Sequence, residues 1–390
     1  MAVNVAFVVQ RYGPEVGGGA ELHCRLVAEH MARYWDVTVL TTRALDYLSW
    51  RDTLPEGEQA VNGVRVLRFS VDEPRYMRWF NRVGERLRER PHSLEDERWW
   101  MRLQGPHSSA LLRHLEASRL TYEAVIFFTY QYCHTFFGLP LVQDRALLVP
   151  TAHDDWVLRL AIFRELFRLP RALLYNTPEE RDLLVSRFAV GDIRSEVVGV
   201  GVSAPAQADP EGFRARRGLD GPLITFVGRI DPDKGCGELF DFFLRYRDQA
   251  KEPPTLLLLG SAAMPVPEHP AIRWLGYVSE QEKFDALAAS AVMVAPSPYE
   301  SLSMASLESW LMETPVLVTT RSAVLRGQVH RSQGGLAYSS YDEFADSLDR
   351  LLGDRGEARE MGRRGRAYVV ERYRWEEIER KYLALVQGLG

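Results

Sequence analysis

The chain is poor in lysine: of its 48 basic residues, only Lys234, Lys251, Lys283 and Lys381 are lysines and the rest are arginines. Cysteine is scarcer still. Cys24, Cys133 and Cys236 are odd in number and lack metal-ligand spacing, which argues against a disulfide framework and for free thiols in a reducing cytoplasm. Neither sign of charge dominates, with a formal net charge of −5 and a pI near 6.1, so an extended nucleic-acid footprint is not expected. Long apolar runs are missing as well. Val5 to Val9 is too short for a signal-peptide core and has no basic residue before it, and Ala124 to Val142 is interrupted by Gln131, His134 and Pro140. The latter divides more naturally into a strand and a helix than into a membrane span.

What is present is alternation. Apolar strand-like runs NVAFVVQ, DVTVLTTR, VRVLRF, AVIFF, LLVPTAHDD, ALLYN and SEVVGVGV are separated by helical patterns, and a second series follows in PLITFVGR, PTLLLLG, AIRWLGYV, ASAVMVAPS and TPVLVTT. Nearly continuous apolar strands alternating with helices predict parallel sheets covered on both faces. With 390 residues there is room for two such domains. Between the series, Ser203 to Pro222 shifts to Ala, Pro, Asp, Gly and Arg, the composition of a linker with a short helix. The expected architecture is α/β, with two doubly wound parallel-sheet domains facing each other across a cleft. The N-terminal domain spans 1–202, the linker 203–222 and the second domain 223–370; a final segment, 371–390, is expected to cross back to the first domain.

Ligands in such sheets bind at the carboxyl ends of the strands, and three strand ends carry distinctive residues. After the first strand comes RYGPEVGGGAE, where Gly18 and Gly19 let backbone N–H groups approach an anion at a helix start. A nicotinamide-binding unit would place an acidic residue at the end of the next strand, but DVTVLTTR ends in Thr41, Thr42 and Arg43, which argues against a dehydrogenase. At the head of the second series, FVGRIDPDKGCGELF sets Arg229 and Lys234 on either side of a turn, so that both cations can reach one diphosphate. A lysine kept in so arginine-rich a chain suits a compact point charge on a phosphate; the alternative is a pair of solvated loop cations. Asp231 and Asp233 form Asp-x-Asp, but the neighbouring cations would already neutralise a diphosphate, so no metal is expected.

The third strand end is VMVAPSPYESLSMASLESWLMETPVLV, Val292 to Val318, which reads as strand, loop, helix, strand. Glu300 falls at the loop-to-helix junction and Glu308 eight residues later, roughly 80° around and ~12 Å along a helix. Carboxylates accept paired hydrogen bonds from sugar diols, and the first-turn N–H groups suit a diphosphate. A nucleotide-sugar offers a diol at each end of its diphosphate. The alternative is a cap-like Glu300 and a Glu308 on a solvated helix face.

Taken together, GGGAELH, TAHDD, VVGVGV, GRIDPDKG, LGYVSEQE and PSPYESLSMASLES resemble the retaining glycosyltransferases of family 4, the group 1 glycosyl transferases with the GT-B fold. The resemblance runs through the closing YVVERYRWEEIERKYLALV. It implies transfer of a hexose-type sugar from a nucleotide-sugar donor, a UDP- or GDP-sugar, to a glycan, lipid-linked or small-molecule acceptor. Retention at the anomeric carbon and no metal or other cofactor are part of that expectation. Carried over, Gly18 and Gly19 meet the distal phosphate and Arg229 and Lys234 neutralise the diphosphate. Ser301, Leu302 and Ser303 form the donor loop, Glu308 takes the ribose, Glu300 the donor sugar, and Tyr277 and Val278 pack the nucleobase. His153 matches a histidine facing the donor sugar, a reading favoured by its place right after a buried strand; the alternative is a satisfied loop histidine. The chemistry expected is stabilisation of the departing diphosphate by fixed cations and dipoles, with no carboxylate set as a covalent nucleophile.

Four positions depart from the family pattern: Ser303 and Glu313 stand where glycine is usual, Gly199 where asparagine is, and TTRSAVLRGQV lacks a Gly-Gly. A non-catalytic nucleotide-sugar-binding partner of another transferase, or a sugar-nucleotide epimerase of the same fold, are the competing readings. In the first domain, Arg75 to Pro91 has Tyr76, Met77, Phe80, Val83 and Leu87 at helical spacing among arginines. Such a helix either meets an anionic membrane, making the protein cytoplasmic and peripheral at the inner face, or packs on the domain edge.

Overall fold

The structure, a computed structural model, describes residues 3–389. The first sheet contains β1 Val3–Val8, β2 Trp35–Thr42, β3 Gly57–Val61, β4 Val64–Phe69, β5 Ala124–Phe128, β6 Ala146–Val149, β7 Ala172–Tyr175 and β8 Ser195–Val197, in the order β3-β4-β2-β1-β5-β6-β7-β8. Its pairs are parallel except for the β3–β4 hairpin. The second sheet contains β9 Leu223–Val227, β10 Thr255–Leu259, β11 Ile272–Gly276, β12 Val292–Ala295, β13 Val316–Thr319 and β14 Gly335–Tyr338. Its order is β11-β10-β9-β12-β13-β14, parallel throughout.

The central strands are buried end to end, as β5 and β6 are along their whole length, because helices cover both faces. Two strands escape the sequence pattern. β3 is polar and mostly exposed at the sheet edge, and its only signal is the Asn62-Gly63 turn, both residues at positive φ, that joins it to β4. β14 is a four-residue strand opened by glycine; a side chain on Gly335 would overlap the carbonyl oxygen of Val316 on β13.

The chain divides into two compact units: residues up to Gly201 with those from Trp375 onward, and Val202–Arg374. The short helix foreseen between 203 and 222 is Pro210–Arg217. It is part of the second unit, where its Phe213 joins Leu219, Leu223 and Leu257 in an apolar cluster, so these residues are packed structure rather than a free linker. The closing helix, Trp375–Gln387, lies on the first unit: Trp375 stacks on His30 with ring centroids 3.5 Å apart, and Glu379 accepts from His30 Nδ1 and Tyr34 Oη, both at 2.9 Å.

In each sheet the order of strands reverses at one place. In the first it lies between β1 and β5, and in the second between β9 and β12. Loops leaving two such strands part to opposite faces and leave a crevice at the carboxyl edge.

Candidate active site

The second unit gathers most of the expected residues at its crevice. β9 ends in Val227 and delivers Arg229 and Lys234; β12 beside it ends in Ala295 and delivers Glu300. Two glycines draw the loops together. Gly260 has a φ of 134° and Gly235 a φ of 74°, and a Cβ on the first would overlap the carbonyl oxygen of Gly228, on the second that of Pro296. The turn carrying Lys234 is therefore seated against the loop carrying Glu300, and Lys234 Nζ donates to Glu300 Oε1 at 2.7 Å.

Asp231 builds the turn. One oxygen accepts from the Asp233 amide at 2.8 Å and the other from Arg229 Nε at 2.7 Å. The Asp-x-Asp pattern thus has one carboxylate committed to a guanidinium and to the local backbone. An arginine fork can serve two acceptors at once.

Glu300 does not lie on the helix. The helix is Met304–Leu311, capped by Ser303, whose hydroxyl accepts from the Ser306 amide at 3.3 Å and meets Ser306 Oγ at 2.8 Å. The rotation expected between Glu300 and Glu308 on a continuous helix therefore does not apply: the chain from Pro296 to Ser303 is irregular, with bends at Pro298 and Ser301, and the helix starts only at Met304. Ser301 stands in the bend ahead of the cap, and Leu302 packs partly buried against the core cluster holding Leu307 and Trp310.

Glu308 is almost wholly buried and faces Lys283, with Lys283 Nζ 2.7 Å from its Oε1 and also 2.9 Å from Glu280 Oε2. Burial pushes the Glu308 carboxyl above its ordinary range, while the Lys283 ammonium pulls it back. Burial lowers Lys283, but the two glutamates outweigh it and leave it above its usual value. Sequence reasoning missed Lys283, although the scarcity of lysine that marks Lys234 marks it equally. Tyr277, 77% exposed, follows β11, and Val278 beside it packs against the cluster of Leu257 and Leu259.

Glu313 confirms the backbone demand implied by the glycine it replaces: its φ is 58°. Its carbonyl lies where a side chain on Gly362 would be, so the helix Arg355–Arg372 supplies the missing glycine from the other side of the contact.

In the first unit Gly18 and Gly19 follow β1, and His153 follows β6, two strands away at the same carboxyl edge. Gly18 has a φ of 149°. Arg11 shapes its loop, donating through Nε to Glu21 at 2.9 Å, and through its two amino groups to the carbonyls of Leu45 at 2.7 Å and Gly17 at 2.8 Å. A Cβ on Gly19 would meet nothing within 4 Å, so its surface is open to an approaching group. His153 Nε2 lies 3.2 Å from Asp155 Oδ2, while Asp155 Oδ1 accepts from the Leu158 amide at 2.9 Å. His23, in the GGGAELH motif, is buried without charge; burial drives its pKa down to about 4, partly offset by a hydrogen bond to the Gly199 backbone. Gly199, with a φ of 73°, adopts the left-handed conformation that the asparagine usual there also tolerates.

Solved structures share this architecture over the whole chain. Sucrose-phosphate synthase from Thermosynechococcus elongatus superimposes with a TM-score of 0.74 at 16% identity, over 99% of each chain. The Anabaena protein HepE in complex with UDP-glucose does so with a TM-score of 0.68 at 14% identity, again over 99% of each. Two Rossmann-like units with these strand orders define a GT-B glycosyltransferase fold. Residues 221–354, the stretch holding Arg229, Lys234, Lys283, Glu300 and Glu308, match the family model described as glycosyl transferases group 1. An uncharacterised glycosyltransferase of Methanocaldococcus jannaschii is 23% identical over 97% of this chain and 96% of its own length. The family match, the glycosyltransferase relative and the shared fold together support a group 1 glycosyltransferase of the GT-B fold.

Proposed function

We propose that this glycosyltransferase moves a hexose-type sugar from a UDP- or GDP-sugar to a glycan, lipid-linked or small-molecule acceptor, with retention at the anomeric carbon and no metal. The observation that carries the donor side is the pairing of Lys234 with Glu300 at 2.7 Å across two neighbouring strand ends, with Arg229 on the same loop. In the free protein the two site charges hold one another. An arriving diphosphate draws Lys234 and Arg229 to the oxygen that gains charge as the glycosidic bond breaks, and Glu300 is released to the hydroxyls of the donor sugar. Asp231 serves as the internal partner of Arg229, which supports charge neutralisation by side chains over a metal bridge. Gly18 and Gly19 bring backbone N–H groups to the distal phosphate, Gly19 with open space beside it, and His153 meets the sugar from the first unit. Glu308 takes the ribose diol, exchanging part of its bond to Lys283 for two hydroxyl donors, and Tyr277 and Val278 pack the base.

The test is turnover with a panel of UDP-, GDP- and ADP-sugars, with and without acceptor sugars, with the anomeric configuration of the product read by NMR. Lys234→Ala should lower turnover on the order of 10²-fold or more, the usual effect of losing one preorganised electrostatic group. Near-normal turnover would remove Lys234 from the mechanism, and an inverted product would overturn retention. Isomerised donor formed without any acceptor would favour the epimerase reading.

The membrane reading takes a reduced form. Phe80 and Val83 pack on the first unit's core together with buried Leu87, so the apolar stripe of the helix Met77–Glu89 is turned inward, as in the edge-packed alternative. What faces outward is Tyr76 and Trp79, 61% and 57% exposed, with Arg78, Arg82 and Arg86 exposed beside them. We propose that these side chains, rather than a buried helix face, make a weak peripheral contact with an anionic inner-membrane surface. No described helix is long and apolar enough to cross a membrane.

A further inference from the structure

Two adjacent strands of the first sheet end in threonines held in a conformation that β-branched residues rarely adopt: Thr129 after β5 has a φ of 61° and Thr151 after β6 a φ of 53°. Such strain persists only where the surroundings impose it. Thr129 is locked by backbone: its amide donates to the Val149 carbonyl at 2.9 Å, and its own carbonyl accepts from Thr135 Oγ1 at 2.7 Å. Thr151 is locked differently. The residue after it, Ala152, donates its amide to Glu180 Oε1 at 2.6 Å, and the other oxygen of the same carboxyl accepts from the Asn176 amide, also at 2.6 Å.

Glu180 is 1% exposed and lies in the first turn of the helix Pro178–Phe188, which follows β7. A helix whose task was only to cap itself has Thr177 for that, and Thr177 Oγ1 does accept from the Glu180 amide at 3.2 Å. The Glu180 side chain instead reaches sideways and ties the exit of β7 to the exit of β6. The residue presented by that second exit is His153, which also meets Asp155. Burying a carboxyl this deeply is costly: burial raises its pKa to about 8, and what offsets the burial is the pair of backbone N–H groups. An apolar residue in its place would leave both amides without these acceptors, so the carboxyl is tied to two directed bonds.

We propose that Glu180 is a positioning residue for transfer: by holding the Ala152 and Asn176 amides it keeps the strained Thr151 turn and so sets where His153 meets the donor. The proposal rests on the reading of His153 as a donor-facing group, and its test has one arm that needs no substrate. In Glu180→Gln the side-chain NH2 faces one of the two amides, a donor against a donor, while volume and the second bond are kept. The imidazole signals of His153, assigned by their loss in His153→Ala, should shift in Glu180→Gln, and those of His330 in the second unit should not move. With a turned-over donor in hand, kcat should fall on the order of 10-fold or more, the scale set by a small misplacement of a reacting group, with KM for the donor held within about twofold. Glu180→Gln in a His153→Ala background should then cost little more than His153→Ala alone. If Glu180 is only a staple of the fold, the unfolding midpoint changes while the His153 signals and kcat stay put, and the proposal is overturned. If the His153 signals shift while His153→Ala itself leaves turnover unchanged, Glu180 does set the loop but His153 is not the donor-facing group, and the proposal fails with that reading.

Discussion

The two units differ in how they handle much of their buried polarity. In the second, each site carboxylate has its own ammonium: Glu300 has Lys234 and Glu308 has Lys283, both at 2.7 Å. In the first, Arg11 and Glu21 form one buried ion pair, but other polar groups beneath the sheet's carboxyl edge are buried without charge partners. His23 and His134 are neutral, with pKa values driven to about 4 by burial, and Arg75 lies between the rings of Trp50 and Phe80 at 4.6 and 4.8 Å rather than against a carboxylate. A donor diphosphate is a fixed ligand of known charge, and paired charges that can re-partner suit it. Neutral, packed polar groups build a stiff wall instead. This contrast leads to predictions that separate the units.

The largest effect should be in acid. A histidine whose folded pKa lies below its unfolded value takes up protons on unfolding, so its contribution is present above about 6.5 and is lost as pH falls through about 4. With shifts of this size, each histidine should remove about 3 kcal/mol of stability over that window. Hydrogen exchange followed by peptide should find the first unit opening well before the second as pH is lowered. Simultaneous opening would erase the contrast. Glu180 acts with the opposite slope: its raised pKa contributes stability below about 4.5 that is lost as pH rises through about 8. Glu180→Gln should therefore steepen the net rise in stability that the histidines produce as pH climbs toward 6.5.

Next in size is the division of labour between the two glutamates. Glu308 and Lys283 are both buried, so Lys283→Ala leaves a buried carboxylate unpaired and should destabilise the second unit by about 3 kcal/mol, read by thermal unfolding. Glu308→Gln should weaken donor and free nucleotide alike, because the ribose does not change during the reaction. Glu300→Gln should lower turnover more than donor affinity and leave free nucleotide nearly untouched. Calorimetry with nucleotide and nucleotide-sugar decides between them; equal loss of free-nucleotide binding in both variants would mean that the carboxylates do not share the donor in this way.

The smallest effect belongs to the first unit's surface. Changing Arg78, Arg82 and Arg86 to Ser should reduce sedimentation with anionic liposomes severalfold, as should added salt, each basic residue contributing about 1 kcal/mol at most. Because Arg86 is already tied to Asp96 at 3.0 Å, its share should be the least. A parent protein that does not sediment at all would leave Tyr76 and Trp79 as ordinary edge residues.

Much of the architecture was legible in the chain because it rests on local patterning. Strands buried on both faces must be continuously apolar, and the runs from Val5 to Val8 and from Leu256 to Leu259 read that way with no knowledge of their neighbours. Glycine is similarly local in its meaning: the Gly228–Lys234–Gly235 loop could be placed at a strand end from its residues alone. Glu313 announced its left-handed backbone through the glycine it displaces, but Gly362, which lets that backbone approach, stands 49 positions away and carries no such mark.

What only the tertiary structure decided is partnership. The sequence placed Glu300 at the loop-to-helix junction and related it to Glu308 by helix geometry; the helix starts only at Met304 behind the Ser303 cap, so Glu300 lies in the loop, beside Lys234. Lys283 and Glu308 sit 25 residues apart on different helices, and Glu180 meets Ala152 across 28. A side chain's own residue type states which bonds it can make, and periodicity states which way it faces. Which group answers it depends on how strands far apart in sequence are ordered in the sheet, and that order is set by the burial of the whole core rather than by any stretch of the chain.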